Sequence, residues 1–118
     1  MAIALAITDI DNSGKSLYLT CTLTFSGNYS TGGDTIDFTT VAGKGYLGRT
    51  FQASKAPLYG AAYGTSGHSY GLIPGTTLAN GKVKISTTAG TELGAGAYPA
   101  AITGDANIYC NAIFDMNL

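Results

Sequence analysis

The residues of this chain that could do chemistry are few, and each set lacks a part. Gly67-His68-Ser69-Tyr70-Gly71 matches the G-x-S-x-G pattern of a nucleophile elbow. In a hydrolase that serine needs a strand-to-helix turn on a parallel sheet, with a histidine and an acid arriving from elsewhere in the fold. The one histidine is His68, and as the neighbour of Ser69 it cannot readily fold back to serve as its base. The chain is also too short and too rich in strand patterns for that fold. No catalytic residue is assigned, and a non-enzyme is expected.

Asp9-Ile10-Asp11-Asn12-Ser13-Gly14 has the spacing of the first half of an EF-hand loop. Position twelve of that loop is Thr20, where calcium needs a bidentate Glu, and the flanks alternate like strands instead of helices. A hairpin turn is the better reading. Gly14-Lys15-Ser16 shares the end of a phosphate-binding loop, but Asp9 stands where its first glycine belongs and no helix pattern follows. Asn28-Tyr29-Ser30 is a glycosylation sequon, which matters only in a secretory pathway. Asp34 and Asp105 each follow a glycine, where a carboxylate ties a turn by accepting backbone N–H groups. A calcium site shared among Asp34, Asp37 and Asp105 is the alternative. The turn reading is preferred, and no metal and no cofactor are expected.

The elements that would position any site are strands. Ile3, Leu5 and Ile7 alternate with small residues, and Asp11-Asn12-Ser13-Gly14 supplies turn chemistry. From Ser16 to Phe25, Leu17, Leu19, Cys21, Leu23 and Phe25 share one face, with Tyr18, Thr20, Thr22 and Thr24 on the other. These two runs predict a hairpin. Thr35–Val41 alternates with Ile36 and Phe38 inward, and Lys82–Thr88 with Val83 and Ile85 inward. Ala97–Ile102 is a weaker strand candidate. Asn107–Met116 closes the chain, with Ile108, Cys110, Ala112, Phe114 and Met116 on one face. No window carries a convincing 3.6-residue apolar stripe, and 17 glycines with many threonines argue against long helices. The expected fold is all-β: one domain over 1–118, an antiparallel β-sandwich or small β-barrel, jelly-roll-like or immunoglobulin-like.

Between Gly43 and Gly81 the alternation fades and glycines recur, with Tyr59-Gly60, Tyr63-Gly64 and Tyr70-Gly71 as repeated steps. A Gly/Tyr-rich loop region is expected over about 43–81, holding one or two irregular strands or a functional loop. Tyr, Ser and Gly together are the chemistry of binding loops, where tyrosine gives amphipathic contact area at low entropy cost. Tyr59, Tyr63 and Tyr70 are therefore candidate partner-binding residues, against the alternative that they cap the end of the fold. Ile3 and Leu5 are candidates as part of an arm or edge strand able to add to a partner's sheet.

Composition narrows the partners. Apolar residues make up 45% of the chain and charged residues 11%, about half the usual charged share. A surface so poor in charge suits a protein that lies against other protein. The net charge is −1 and the basic residues are scattered, so neither nucleic acid nor an anionic membrane is an expected partner. No apolar run approaches the roughly 20 residues of a membrane span. Met1–Ile7 lacks the basic start and the length of a signal peptide, which predicts cytoplasmic synthesis without a leader. Cys21 and Cys110 fall on predicted core faces, where buried free thiols are expected in a reducing compartment; a disulfide stays open.

Gly27-Asn-Tyr-Ser-Thr-Gly-Gly-Asp-Thr-Ile36, Gly94-Ala-Gly-Ala-Tyr-Pro-Ala-Ala101 and the closing run from Asp105 to Phe114 together resemble small structural proteins from the head-gene clusters of tailed phages. The resemblance covers about 1–40 and 80–118 and leaves the Gly/Tyr middle unmatched. It implies a capsid-associated role in the virion: a decoration or cement protein binding the major capsid protein and neighbouring copies of itself, with a homotrimer suiting three-fold sites. Many weakly bound copies would gain avidity from one another. It transfers no catalytic residues. The second reading is a tail or fibre module that recognises a host surface or glycan through Tyr59, Tyr63 and Tyr70.

Overall fold

The computed structural model describes residues 3–13 and 15–115. It is nearly all β, as the alternation requires. The first strand, β1 (Ile3–Ser13), pairs antiparallel with β2 (Ser16–Phe25), starting at Ile3–Phe25 and ending at Ser13–Ser16. The turn expected at Asp11–Gly14 is displaced: Asp11 to Ser13 are strand, and Gly14 lies outside the described residues. A register shift between Ile7 and Asp9 explains the discrepancy. Thr8 is the extra residue of a β-bulge, and its hydroxyl donates to the Thr20 carbonyl at 3.1 Å. A bulge inverts the parity of inward positions. Ile3 and Ile10, an odd and an even position, are therefore both fully buried.

The closing strand β11 (Tyr109–Asp115) lies beside β2, with Cys110 opposite Cys21 and Phe114 opposite Leu17. Met116 lies outside the described residues. On the other side of β11 runs β7 (Tyr59–Tyr63), followed outward by β8 (Ser69–Ile73), β9 (Gly81–Ser86) and β4 (Asp34–Ile36). The order β1-β2-β11-β7-β8-β9-β4 makes one antiparallel sheet that curls into a half-barrel around the core. The region 43–81, expected to hold one or two irregular strands or a functional loop, supplies the central strand of the sheet and its neighbour. Alternation fades there because the inward positions of β7 are Gly60 and Ala62. A Cβ on Gly60 would collide with the Asn111 carbonyl oxygen and stand 2.5 Å from Leu72 Cδ2. Strand crowding has removed the apolar side chains that sequence patterns rely on.

The open side of the half-barrel is filled by irregular chain. Thr35–Val41, expected as one strand, is β4 followed by a 3-10 turn at Phe38–Val41. Asp37 ends the strand by accepting the Thr39 N–H at 2.9 Å. Phe38 and Val41, three residues apart, then both turn inward. A small hairpin, β5 (Gly45–Tyr46) with β6 (Arg49–Thr50), leads to buried Phe51. Phe114 meets Phe38 at 5.1 Å and Phe51 at 4.9 Å between ring centroids, both edge-to-face. Arg49 Nη1 donates to the Ile10 carbonyl at 3.3 Å, closing part of the free edge of β1. Ala97–Ile102 is also not a strand: β10 (Gly96–Ala97) stops at Tyr98-Pro99, and a short helix α1 (Ala100–Thr103) follows. Proline has no N–H to give a ladder and its φ suits a helix start.

Candidate functional site

Two clusters of functional side chains emerge, one inside the fold and one on the outer face of its sheet. The inner one joins the segment 28–34 to residues between 85 and 98. A short strand β3 (Asn28–Tyr29) pairs with β10, Gly96 opposite Tyr29. The Tyr98 hydroxyl donates to the Asp34 carboxylate, which also accepts the Ser30 N–H at 3.2 Å. The Tyr29 hydroxyl donates to Glu92 Oε2 at 2.8 Å and accepts the Ile85 N–H at 3.1 Å. Glu92 in turn takes the Gly32 N–H at 2.6 Å, which with the Tyr29 hydroxyl holds its carboxyl below the usual range. Burial, and behind it Asp34, push the Tyr98 phenol well above its usual range. Burial does the same to Tyr29. Each acid is matched to a phenol or backbone donor, so the cluster is a lock between two segments far apart in sequence.

The other turn-tying carboxylate is Asp105. It accepts N–H groups from Thr65 at 2.8 Å and Asn107 at 2.9 Å, and the Thr65 hydroxyl at 2.9 Å. The Asn107 and Thr65 bonds lower its pKa. Asp34, Asp37 and Asp105 each serve separate sets of bonds, and among the described residues no three His, Cys, Asp or Glu side chains gather as a metal site. Ser69 sits exposed at the start of β8, and His68 Nδ1 lies 3.1 Å from the hydroxyl of Ser66 instead.

The outer cluster follows from strand register. On the face turned away from the core, Ile113 stands between Tyr18 and Tyr59, Asn111 between Thr20 and Ala61, and Tyr109 between Thr22 and Tyr63. Tyr18, Tyr59 and Tyr63 are 44%, 62% and 49% exposed. The rows headed by Ile113 and Tyr109 are four residues apart, so the ridges rise roughly 13 Å from one another. Between them lies a lower row with a polar floor. The Thr20 hydroxyl donates to Asn111 Oδ1 at 2.9 Å, and Asn111 Nδ2 to the Tyr63 hydroxyl at 3.4 Å. Tyr63 and Tyr109 brace each other at 5.9 Å between ring centroids. A depression of about 450 Å³ opens here, lined among others by Tyr18, Tyr59, Ala61, Asn111 and Ile113. Its centre carries no charge. Asp9 and Asp11 flank it on β1, and Lys82 and Lys84 lie on β9, two strands beyond β7, all exposed.

Of the candidates that the sequence suggests, Tyr59 and Tyr63 share this face. Tyr70 does not. It points to the core side of β8, opposite Ala62, with its ring 5.9 Å from Phe25 and its hydroxyl 3.4 Å from Ser66 Oγ. Ile3 lies in the chain's own core, and Leu5 packs half-buried against it. β1 is an edge strand of the sheet, its free side flanked by the 3-10 turn and the β5–β6 hairpin. Tyr18 and Tyr109 escape sequence reasoning as site residues, although both occupy outward positions of legible strands. Leu47 escapes it too: it projects from the tip of the β5–β6 hairpin, 84% exposed, with φ of 51°. In comparisons with known proteins the chain matches no family model, no curated protein and no solved structure.

Proposed function

We propose that this chain is a non-enzymatic virion structural protein, a decoration or cement subunit that binds the outside of a phage head and stabilises the shell. The observation that carries the reading is the tyrosine-ridged outer face, whose central depression is lined by uncharged side chains on paired strands. Rigid aromatic rings give large contact area at small entropic cost, and they are enriched where protein interfaces concentrate their energy. The resemblance of the paired motifs to head-cluster proteins supplies the direction. The partners are then the major capsid protein and neighbouring copies of this chain, and the place of action is the capsid surface. Leu47 on its hairpin tip offers a second apolar contact for a neighbouring copy.

Adding purified chain to heads that lack it, followed by sedimentation, tests the reading. Stoichiometric binding is expected, with Tyr59→Ala and Tyr63→Ala each weakening it about tenfold or more. A chain that stays in the supernatant at micromolar concentration overturns the proposal. A second reading, a tail or fibre module that recognises a host glycan, is favoured by the Thr20–Asn111 floor between aromatic walls. Selective binding to a glycan panel, lost in Tyr59→Ala and absent for heads, would establish it in place of the first.

A further inference from the structure

Cys21 and Cys110 are direct cross-strand partners in the β2–β11 pairing. Both are fully buried and free, in the core row that continues from Ile7 on β1 to Ala62 on β7. Residues directly opposite in an antiparallel pair have Cα atoms about 4.5–5.5 Å apart. A disulfide spans about 4.4–6.8 Å between Cα atoms. Both side chains lie on the core face of the sheet at directly opposed positions. The chain has 2 cysteines, which leaves no competing intramolecular pairing.

We propose that Cys21 and Cys110 are a covalent cross-link site, a latent cross-strand disulfide that ties the second strand of the chain to its last when an oxidised small-molecule disulfide is supplied. One cysteine, as thiolate, attacks a sulfur of the small disulfide and expels one thiolate. The other cysteine, deprotonated in turn, attacks the resulting mixed disulfide at the protein sulfur and expels the second. The two cysteine protons end on the two leaving thiols. The protein loses two hydrogens and two electrons, and the small disulfide becomes two reduced thiols.

Timing is set by burial. The adjoining Cys110 thiol, together with burial, raises the Cys21 pKa far above its usual value, and burial shields both sulfurs from reagent. The bond therefore forms while β2 and β11 come together, or when the sheet opens locally. Once formed it closes a loop that contains most of the chain, including every strand between β2 and β11. Loops of that length give the largest entropic stabilisation, because the unfolded chain loses the most freedom. The inference stands on register and burial and holds whatever surface the chain coats.

The test uses the wild-type chain in both arms, so no variant has to fold. Refolding from denaturant in oxidised glutathione should give a monomer lighter by two hydrogens, with one cross-linked peptide joining the segments around 21 and 110. Its Tm should exceed that of the reduced chain by about 10 °C or more. A chain that keeps both thiols, carries glutathione adducts or links between molecules overturns the proposal. So does a cross-linked monomer that melts no higher than the reduced one.

Discussion

Four tyrosines of the outer sheet face and two of the inner cluster use the same side chain for opposite ends. Tyr29 and Tyr98 are buried with their hydroxyls bound to Glu92 and Asp34. Tyr18, Tyr59, Tyr63 and Tyr109 stand on the outward positions of β2, β7 and β11, and three of them keep about half their surface in water. An aromatic ring with one polar atom can fill a core when a partner waits for its hydroxyl, or face solvent when none does. The inner pair serves stability through satisfied buried hydrogen bonds. The outer set keeps much of its ring surface in water and is expected to contribute less to folding.

Substitutions should separate the two regions. The largest effect is expected from Tyr98→Phe, which leaves Asp34 buried with one donor fewer; a loss of about 2–3 kcal/mol should appear in urea unfolding. Tyr29→Phe should cost about 1–3 kcal/mol, because the buried Ile85 N–H loses its acceptor. Gly60→Ala forces a methyl group against Leu72 and the β11 backbone, and a loss of about 1–3 kcal/mol is expected. Tyr59→Ala should change unfolding by about 0.5 kcal/mol or less while weakening head binding. A Tyr59→Ala chain as unstable as Tyr98→Phe would erase the distinction.

Acid should act on the inner lock and on the separate turn tied by Asp105. Glu92 and Asp105 have folded pKa values below their ordinary ones. Unfolded carboxylates then take up protons first as pH falls, so the stability these groups give is complete above about pH 4.3 and is lost through their lower folded values. Denaturant midpoints measured from pH 6 to pH 3 should fall, and Glu92→Gln with Asp105→Asn should flatten that decline. At the alkaline end the raised phenols of Tyr29 and Tyr98 work in the opposite sense. Their contribution is complete below about pH 10 and disappears as pH rises through the folded values. Removing both phenols as Tyr29→Phe with Tyr98→Phe should shift the alkaline unfolding limb.

Binary alternation was enough to determine an all-β chain, the inward faces of β2, β9 and β11, and the outward placing of Tyr18 and Thr20 that the site uses. Those features are local, since the side-chain period of a strand is two wherever it sits. Tertiary structure decided the rest. The bulge at Thr8 inverted parity within β1, and the Asp37 cap turned the second half of a strand pattern into a 3-10 turn. Crowding against β11 demanded glycine at the centre of the sheet and hid β7 from any hydrophobic count. The Gly/Tyr middle, legible as a region of irregular strands or loop with tyrosines for contact or capping, was split by parity: Tyr59 and Tyr63 outward, Tyr70 inward. Which tyrosines share a face depends on strands up to about ninety residues apart coming into register, and pairing over such distances is a property of the folded sheet and not of any window of sequence.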